Sequence, residues 1–140
     1  MNLTLTAPLQ AELAAFIESA QNQKAARAWL ENPDIKVYVR KSQRLIEGKM
    51  VTALDISNAT VPEDRRGQGV FTRFLNMAHD INPWDATYVE NAQEDRFANY
   101  FWRRDWELYN DFSRSFYKKK NQGRLHDAWA RQTEQLRAIH

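Results

Sequence analysis

The sequence predicts a single α/β domain: a mixed, mostly antiparallel sheet with one parallel strand pair and helices flanking it. Three stretches carry this expectation. From Ile35 to Val61 apolar and polar residues alternate at period 2 between short turn signals, the pattern of an antiparallel meander. The glycine-punctuated turn Asp64-Arg65-Arg66-Gly67-Gln68-Gly69 then leads into Val70, Phe71, Phe74, Leu75, Met77 and Ala78 at helical spacing. Thr87-Tyr88-Val89 follows that helix, and a strand reached through a helical crossover lies parallel to the strand before it, connected right-handedly.

Ahead of the meander, Thr6 can cap a helix, Pro8 is tolerated in its first turn, and Leu9, Leu13, Phe16, Ile17 and Ala20 form its apolar stripe. Lys24 to Leu30, with Ala25, Ala26, Ala28, Trp29 and Leu30, reads as further helix until Asn32-Pro33 stops it. Ile35, Val37 and Val39 alternate with Lys36, Tyr38 and Arg40 in a first strand, Ser42-Gln43 is the expected turn, and Leu45-Ile46 begins a second strand. Glu47-Gly48-Lys49 turns the chain into a third strand, Met50 to Val61, and Asn82-Pro83 ends the central helix. Asp95 to Arg104 carries Phe97, Ala98, Phe101 and Trp102 at helical spacing, and two strands follow around Trp106 to Tyr109 and Phe112 to Tyr117. Asn121-Gln122-Gly123 breaks the pattern before a last amphipathic helix striped by Leu125, Trp129, Leu136 and Ile139. Residues 1–120 thus form the domain. The helix of 121–140 either folds back on it or serves as an interaction element, for instance in a homodimer.

With 140 residues the chain suits one core, which at this size removes roughly 70% of the unfolded surface from water. Hydrophobic residues at 43% and charged residues at 27% are ordinary globular proportions, which argues against disordered, fibrous and membrane classes. Five Trp supply large apolar area for a core or a ligand groove. The lack of cysteine removes disulfides, thiolate metal sites and cysteine nucleophiles, and suits a reducing compartment. Met1 to Pro8 lacks a basic-then-apolar leader and no apolar stretch matches a membrane span, so a cytoplasmic location away from membranes is expected. His79, His126 and His140 are too far apart to suggest a metal site, and no serine-hydrolase or P-loop motif occurs.

The basic glycine turn is an anion cradle in form. Gly67 and Gly69 permit close backbone approach, and a helix opening at the turn aims N–H groups at whatever sits there. The order strand, Arg66-Gly67-Gln68-Gly69-Val70-Phe71, helix resembles the acyl-coenzyme-A loop of the GNAT acetyltransferases, whose pattern is Gln/Arg-x-x-Gly-x-Gly/Ala; Arg66 and Gly69 match it. Val61-Pro62-Glu63-Asp64-Arg65-Arg66-Gly67 resembles the family's strand end, Pro-Glu and Arg-Gly turn. Phe97-Ala98-Asn99-Tyr100-Phe101-Trp102-Arg103-Arg104-Asp105-Trp106 resembles its helix leading into a Gly-aromatic ending. The resemblance runs from about Ile35 to Lys118.

It implies a GNAT-type acyl-CoA N-acyltransferase fold in which acetyl-CoA lies where the third and fourth strands splay apart, and an amine acceptor, small molecule or protein, attacks the thioester directly. Arg66, Gly67 and the amides of Gln68, Gly69 and Val70 would hold the diphosphate, and an amide of Ala59 to Val61 would polarise the thioester carbonyl. Asn91, just past the fourth strand, would hydrogen-bond cofactor or acceptor. A general base is required because a protonated amine is no nucleophile. Asp55 and Glu90 are the candidates, each otherwise a solvated strand carboxylate. The tyrosine that many members use as acid falls on Phe101, which leaves the adjacent Tyr100, with Tyr109 and Tyr117 as more distant alternatives. Phe71, Phe101 and Asp105 stand where the family carries other residues, so a degenerate GNAT-fold binding module is the alternative function. Arg114, Lys118, Lys119, Lys120 and Arg124 amid Phe112, Phe116 and Tyr117 supply another, a basic nucleic-acid binder, although a lysine-rich strand end is commonly just a solvated edge.

Overall fold

The computed structural model describes residues 8–90, 106–110 and 115–120. In chain order these form α1 (Gln10–Ala20), β1 (Ala26–Asn32), β2 (Ile35–Ile46), β3 (Lys49–Thr60), a 3-10 turn (Glu63–Arg65), α2 (Val70–Ile81), β4 (Ala86–Val89), β5 (Glu107–Asn110) and β6 (Ser115–Lys119). The six strands make one sheet in the order β1-β2-β3-β4-β6-β5. β3 and β4 pair in parallel and every other neighbouring pair is antiparallel, so the expected mixed sheet with one parallel pair is what the chain adopts.

Two expectations are corrected. Lys24 to Leu30 is not helical: Ala26–Asn32 is the edge strand β1, with Leu30 opposite Val37 and Trp29 opposite Tyr38. Alanine's helical preference is worth only tenths of a kcal/mol per residue, less than a full ladder against β2 and the burial of Leu30. Ser42-Gln43 is not a turn either, because β2 runs unbroken to Ile46. Its polar side chains find partners within the sheet: Ser42 Oγ donates to Asp55 at 2.8 Å and Gln43 accepts from Thr52 Oγ1 at 3.1 Å. Leu9, at φ 61, is the N-cap of α1, and no side chain caps it. Thr6, the helix expected over 95–104, Phe112 and the terminal helix of 121–140 lie outside the described residues.

The hairpins follow from local chemistry. Asn32 Oδ1 accepts from the amides of Asp34 and Ile35 at 2.8 and 2.9 Å, closing the β1–β2 connection as an Asx turn. Glu47 and Gly48 are both left-handed, at φ 52 and 81, as a two-residue turn matched to strand twist requires.

α1 and α2 cover one face of the sheet. Leu13, Phe16, Ile17, Phe74 and Leu75 pack there on Val37, Val39, Leu54, Ile56, Val89 and Phe116. The carbonyls left over at the end of each helix are met by a lysine from the sheet or just beyond it. Lys41 Nζ donates to Ala20 and Gln21 at 2.9 and 3.2 Å, and Lys120 Nζ donates to the carbonyls of His79 and Asp80. The opposite face carries a smaller cluster of Ile46, Ala53, Ala86, Tyr88 and Tyr117, beside a row of charged groups.

Candidate active site

Among the described residues the parallel ladder is short. Ile56 opposite Val89 is its last pair, and the Glu90 amide adds one bond to the Ile56 carbonyl at 3.0 Å, whereas β3 continues to Thr60. Between Tyr38↔Ser57 and Lys36↔Thr60 the chain of β3 places Asn58 and Ala59 opposite the single residue Val37, a bulge in which Asn58 takes φ 51. The bulge bends β3, and the splay of the third and fourth strands that the resemblance implies would lie past Glu90, outside the described residues.

The glycine turn sits at this end of the parallel pair. Pro62 through Gly69 are exposed, while Val61 is partly buried against the core and Val70 is buried. Arg66 is extended and its Nε donates to the Val61 carbonyl at 2.9 Å, tying the turn to the end of the strand. Gln68 Nε2 reaches the Asp64 carbonyl at 3.2 Å, and Arg73 Nη1 reaches the Gln68 carbonyl at 2.8 Å. Gly67 and Gly69 lie at φ 79 and 76, and Gly69 is the N-cap of α2 with no side chain capping it. Among the described residues, a Cβ added at Gly67 would meet no atom within 4 Å, and one at Gly69 would meet only Arg73 Nη1 at 3.6 Å. The first amides of any α-helix have no acceptor inside it, so this turn presents donors and a positive helix end to open space. Phe71 packs against the core, away from the turn.

On the face opposite the helices, Arg40, Asp55, Tyr88 and Tyr117 stand in one lateral row across β2, β3, β4 and β6. Asp55 is 1% exposed and its oxygens are full. Oδ1 accepts from Ser42 Oγ at 2.8 Å and Arg44 Nε at 3.0 Å; Oδ2 accepts from Arg40 Nε at 2.8 Å and Arg44 Nη2 at 2.7 Å. Arg40 Nη2 also reaches Glu90 Oε2 at 3.2 Å. The Asp55 hydrogen bonds lift the Arg40 guanidinium above its ordinary value in spite of partial burial, and burial likewise opposes, without overcoming, the rise that Asp55 gives Arg44. Arg44 lies 3.5 Å from the centre of the Tyr88 ring, and Tyr109 meets that ring edge-on at 5.0 Å. Burial raises Tyr88. Tyr117 is pushed up to about 12 by burial and by donating to Glu47 Oε2 at 2.9 Å.

Glu90 and the glycine turn are thus brought to the same end of the parallel pair, with Asp55 beneath, joined to Glu90 through Arg40. Asn91 and Tyr100 lie outside the described residues. Arg40, Ser42 and Arg44 were missed by sequence reasoning, although their spacing of two along one strand places all three on one face. Two lysines of the basic cluster have partners within the chain: Lys119 pairs with Glu47 at the surface at 2.9 Å and Lys120 caps α2. Among the described residues no group of acidic or histidine side chains could hold a metal, and no helix is long and apolar enough to cross a membrane.

No protein-family model and no curated protein matches the sequence. Solved structures do. One is of a Tyr-to-Phe variant of the AtaT toxin bound to the C-terminus of the antitoxin AtaR and acetyl-CoA. It aligns over 83% of this chain and 88% of its own at a TM-score of 0.51 and 13% identity. Another, of the same variant with the antitoxin C-terminus alone, aligns over 86% and 91% at a TM-score of 0.51 and 12% identity. At such identity the likeness speaks for the fold alone, a mixed α/β fold of the GNAT type with a mostly antiparallel sheet.

Proposed function

We propose that the chain is an acetyl-CoA-dependent N-acetyltransferase that moves the acetyl group to an amine by direct attack on the thioester. The observation that carries this is the pair of left-handed glycines, open on the side where a Cβ would stand, immediately ahead of α2 and at the C-terminal end of the parallel pair. Acetyl-CoA, when bound, supplies an activated thioester and a diphosphate. The amides of Gln68, Gly69 and Val70 are the donors for the diphosphate, Gly67 gives clearance, and Arg66 holds the turn to Val61. The backbone of Ala59 to Val61, just past the bulge at Asn58, supplies the amide for the carbonyl oxygen as charge develops there.

Of the two candidate bases, Glu90 is favoured. Asp55 already accepts four hydrogen bonds, which leaves no lone pair for a proton from the amine. Glu90 is a third exposed, engages one oxygen with Arg40, and stands at the end of β4. Asp55 acts through Arg40 as a positioning residue. Asn91 as a cofactor contact and Tyr100 as the acid for the leaving thiolate complete the set that the resemblance implies. The acetyl-CoA-bound neighbour agrees with this cofactor, and the partnered lysines weigh against the nucleic-acid alternative.

Calorimetric titration with acetyl-CoA tests the cradle. Micromolar binding by the wild type, lost in Gly69→Val, is expected, and a wild-type chain that binds no acetyl-CoA refutes the proposal. Glu90→Gln should then bind acetyl-CoA normally while losing on the order of 10²- to 10⁴-fold in transfer to a screened amine.

A further inference from the structure

Among the described residues β1 is an outer strand of the sheet, paired on one side only, and its seven residues divide cleanly by face. Ala26, Ala28 and Leu30 turn toward the helices, whereas Arg27, Trp29 and Glu31 are exposed on the other face, Trp29 to 53%. An open edge of this length displays a row of outward N–H and C=O groups that another strand can pair with. The exposed trio is also an unusual one. Arg27 stands opposite Arg40 on β2, a like-charge pair, and neither Arg27 nor Glu31 joins an ion pair among the described residues. Trp29 leans on Tyr38 at 5.1 Å and carries Lys36 over its ring at 4.8 Å, leaving half its surface in water.

We infer that β1 pairs antiparallel with β1 of a second copy of this chain, about a two-fold axis at Trp29. The strand is complementary to itself in that one register. Centred on Trp29, Arg27 falls opposite Glu31 of the second copy and Glu31 opposite Arg27, while Ala28 meets Leu30 on the helical face. Each exposed charge of β1 then gains an opposite charge across the axis. Lys36 and Glu31 of one copy are followed across the axis by Arg27 of the other, so that Arg27 is no longer answered only by Arg40. The two Trp29 rings meet at the axis, where their exposed area is covered. A register centred on Ala28 or on Leu30 separates the charges, and a parallel pairing sets like against like. Residues of equal parity face each other about such an axis, so the outward backbone groups of one strand meet those of the other. The result joins two six-stranded sheets edge to edge and closes both exposed edges, as a two-fold, self-complementary contact does.

Sedimentation velocity on the full chain should show a species of twice 16.5 kDa at micromolar concentration. Arg27→Glu or Glu31→Arg alone places like charges opposite each other twice and should weaken the dimer at least tenfold, whereas the double reversal Arg27→Glu with Glu31→Arg restores the complementarity and the dimer. The chain has no cysteine, which permits a direct reading of the register. Opposed Cα atoms of an antiparallel pair lie about 4.5–5.5 Å apart, inside the disulfide range, so Trp29→Cys should cross-link to itself on mild oxidation. Met50→Cys, still more exposed on β3, should not. A monomeric wild type at every concentration, a dimer indifferent to both single reversals, or a Trp29→Cys chain that fails to cross-link overturns the interface. A double reversal that stays monomeric overturns the register. Trp29→Cys changes no charge, so it decides the matter should a reversal disturb folding.

Discussion

Asp55→Asn separates a structural carboxylate from a catalytic one. The substitution keeps the side chain's volume but turns one acceptor into an NH₂ donor, aimed at Arg40 and Arg44, which can only donate. Removing one partner of a buried ion pair costs about 3–5 kcal/mol. Arg40, 34% exposed, can turn toward water, whereas Arg44, 17% exposed and held over Tyr88, cannot, which sets the loss at the low end, about 3 kcal/mol. With a urea dependence of about 1.5 kcal/mol per molar for a domain this size, the midpoint should fall by roughly 2 M. Urea melts followed by tryptophan fluorescence measure it. Replacing Arg44 by Met in the same chain should recover part of the loss, because the cluster then has one fewer unpaired cation. A midpoint shift under about 0.5 M, together with abolished acetyl transfer, would refute the assignment and return the base to Asp55.

Other outcomes follow from the same contacts. Gly67→Ala forces a left-handed alanine into clear space and should cost about 1 kcal/mol in a thermal melt, while Gly69→Val, branched and at φ 76, should cost about 2 kcal/mol. Asn82→Ala removes an amide that donates to the Ala86 carbonyl and Thr87 Oγ1 and accepts from the Trp84 amide; a loss of about 2–3 kcal/mol in urea is expected where the notion of a mere helix stop predicts none. Tyr117 is raised from 10.0 to about 12, so its neutral form contributes a stabilisation that is complete below pH 10 and disappears toward about 12; tyrosinate absorbance should show it ionising late, and earlier in Glu47→Gln. Its partner Glu47 is lowered from 4.5 by its hydrogen bonds to Lys119 and Tyr117, so that contact persists above about 4.5 and is lost as the pH falls below it, with a small effect because the carboxylate is exposed.

What could be read from the sequence was whatever is decided locally. The Glu47-Gly48 turn, the alternation along β2 and β3 and the stripe of α2 each follow from residues within a few positions of one another. Ala25, Ala26 and Ala28 suit a helix locally, whereas what makes β1 a strand is Val37 and Val39 across a hairpin. The alternation was nonetheless present: Ala26, Ala28 and Leu30 go inward, Arg27, Trp29 and Glu31 outward. Ser42-Gln43 misled in the same way. Two polar residues in succession signal a turn only when nothing else can satisfy them, and here Asp55 and Thr52 on the next strand do.

The candidate site divides along the same line. Its glycine turn is a contiguous motif whose geometry is fixed by two φ angles, and it sits where the motif implied. Its carboxylates are not contiguous with anything. Asp55 and Glu90 look alike in sequence, each a strand carboxylate near the parallel pair, and only the register tells them apart. Arg40, Ser42 and Arg44 project from β2 at intervals of two and arrive together over Asp55, while Glu90, at the end of the shorter strand, meets one guanidinium and keeps solvent access. Proton transfer needs an open lone pair and positioning needs a closed network; on the proposed reading the two arginines that close the Asp55 network disqualify it as the base, and one of them, Arg40, holds Glu90 at the end of β4.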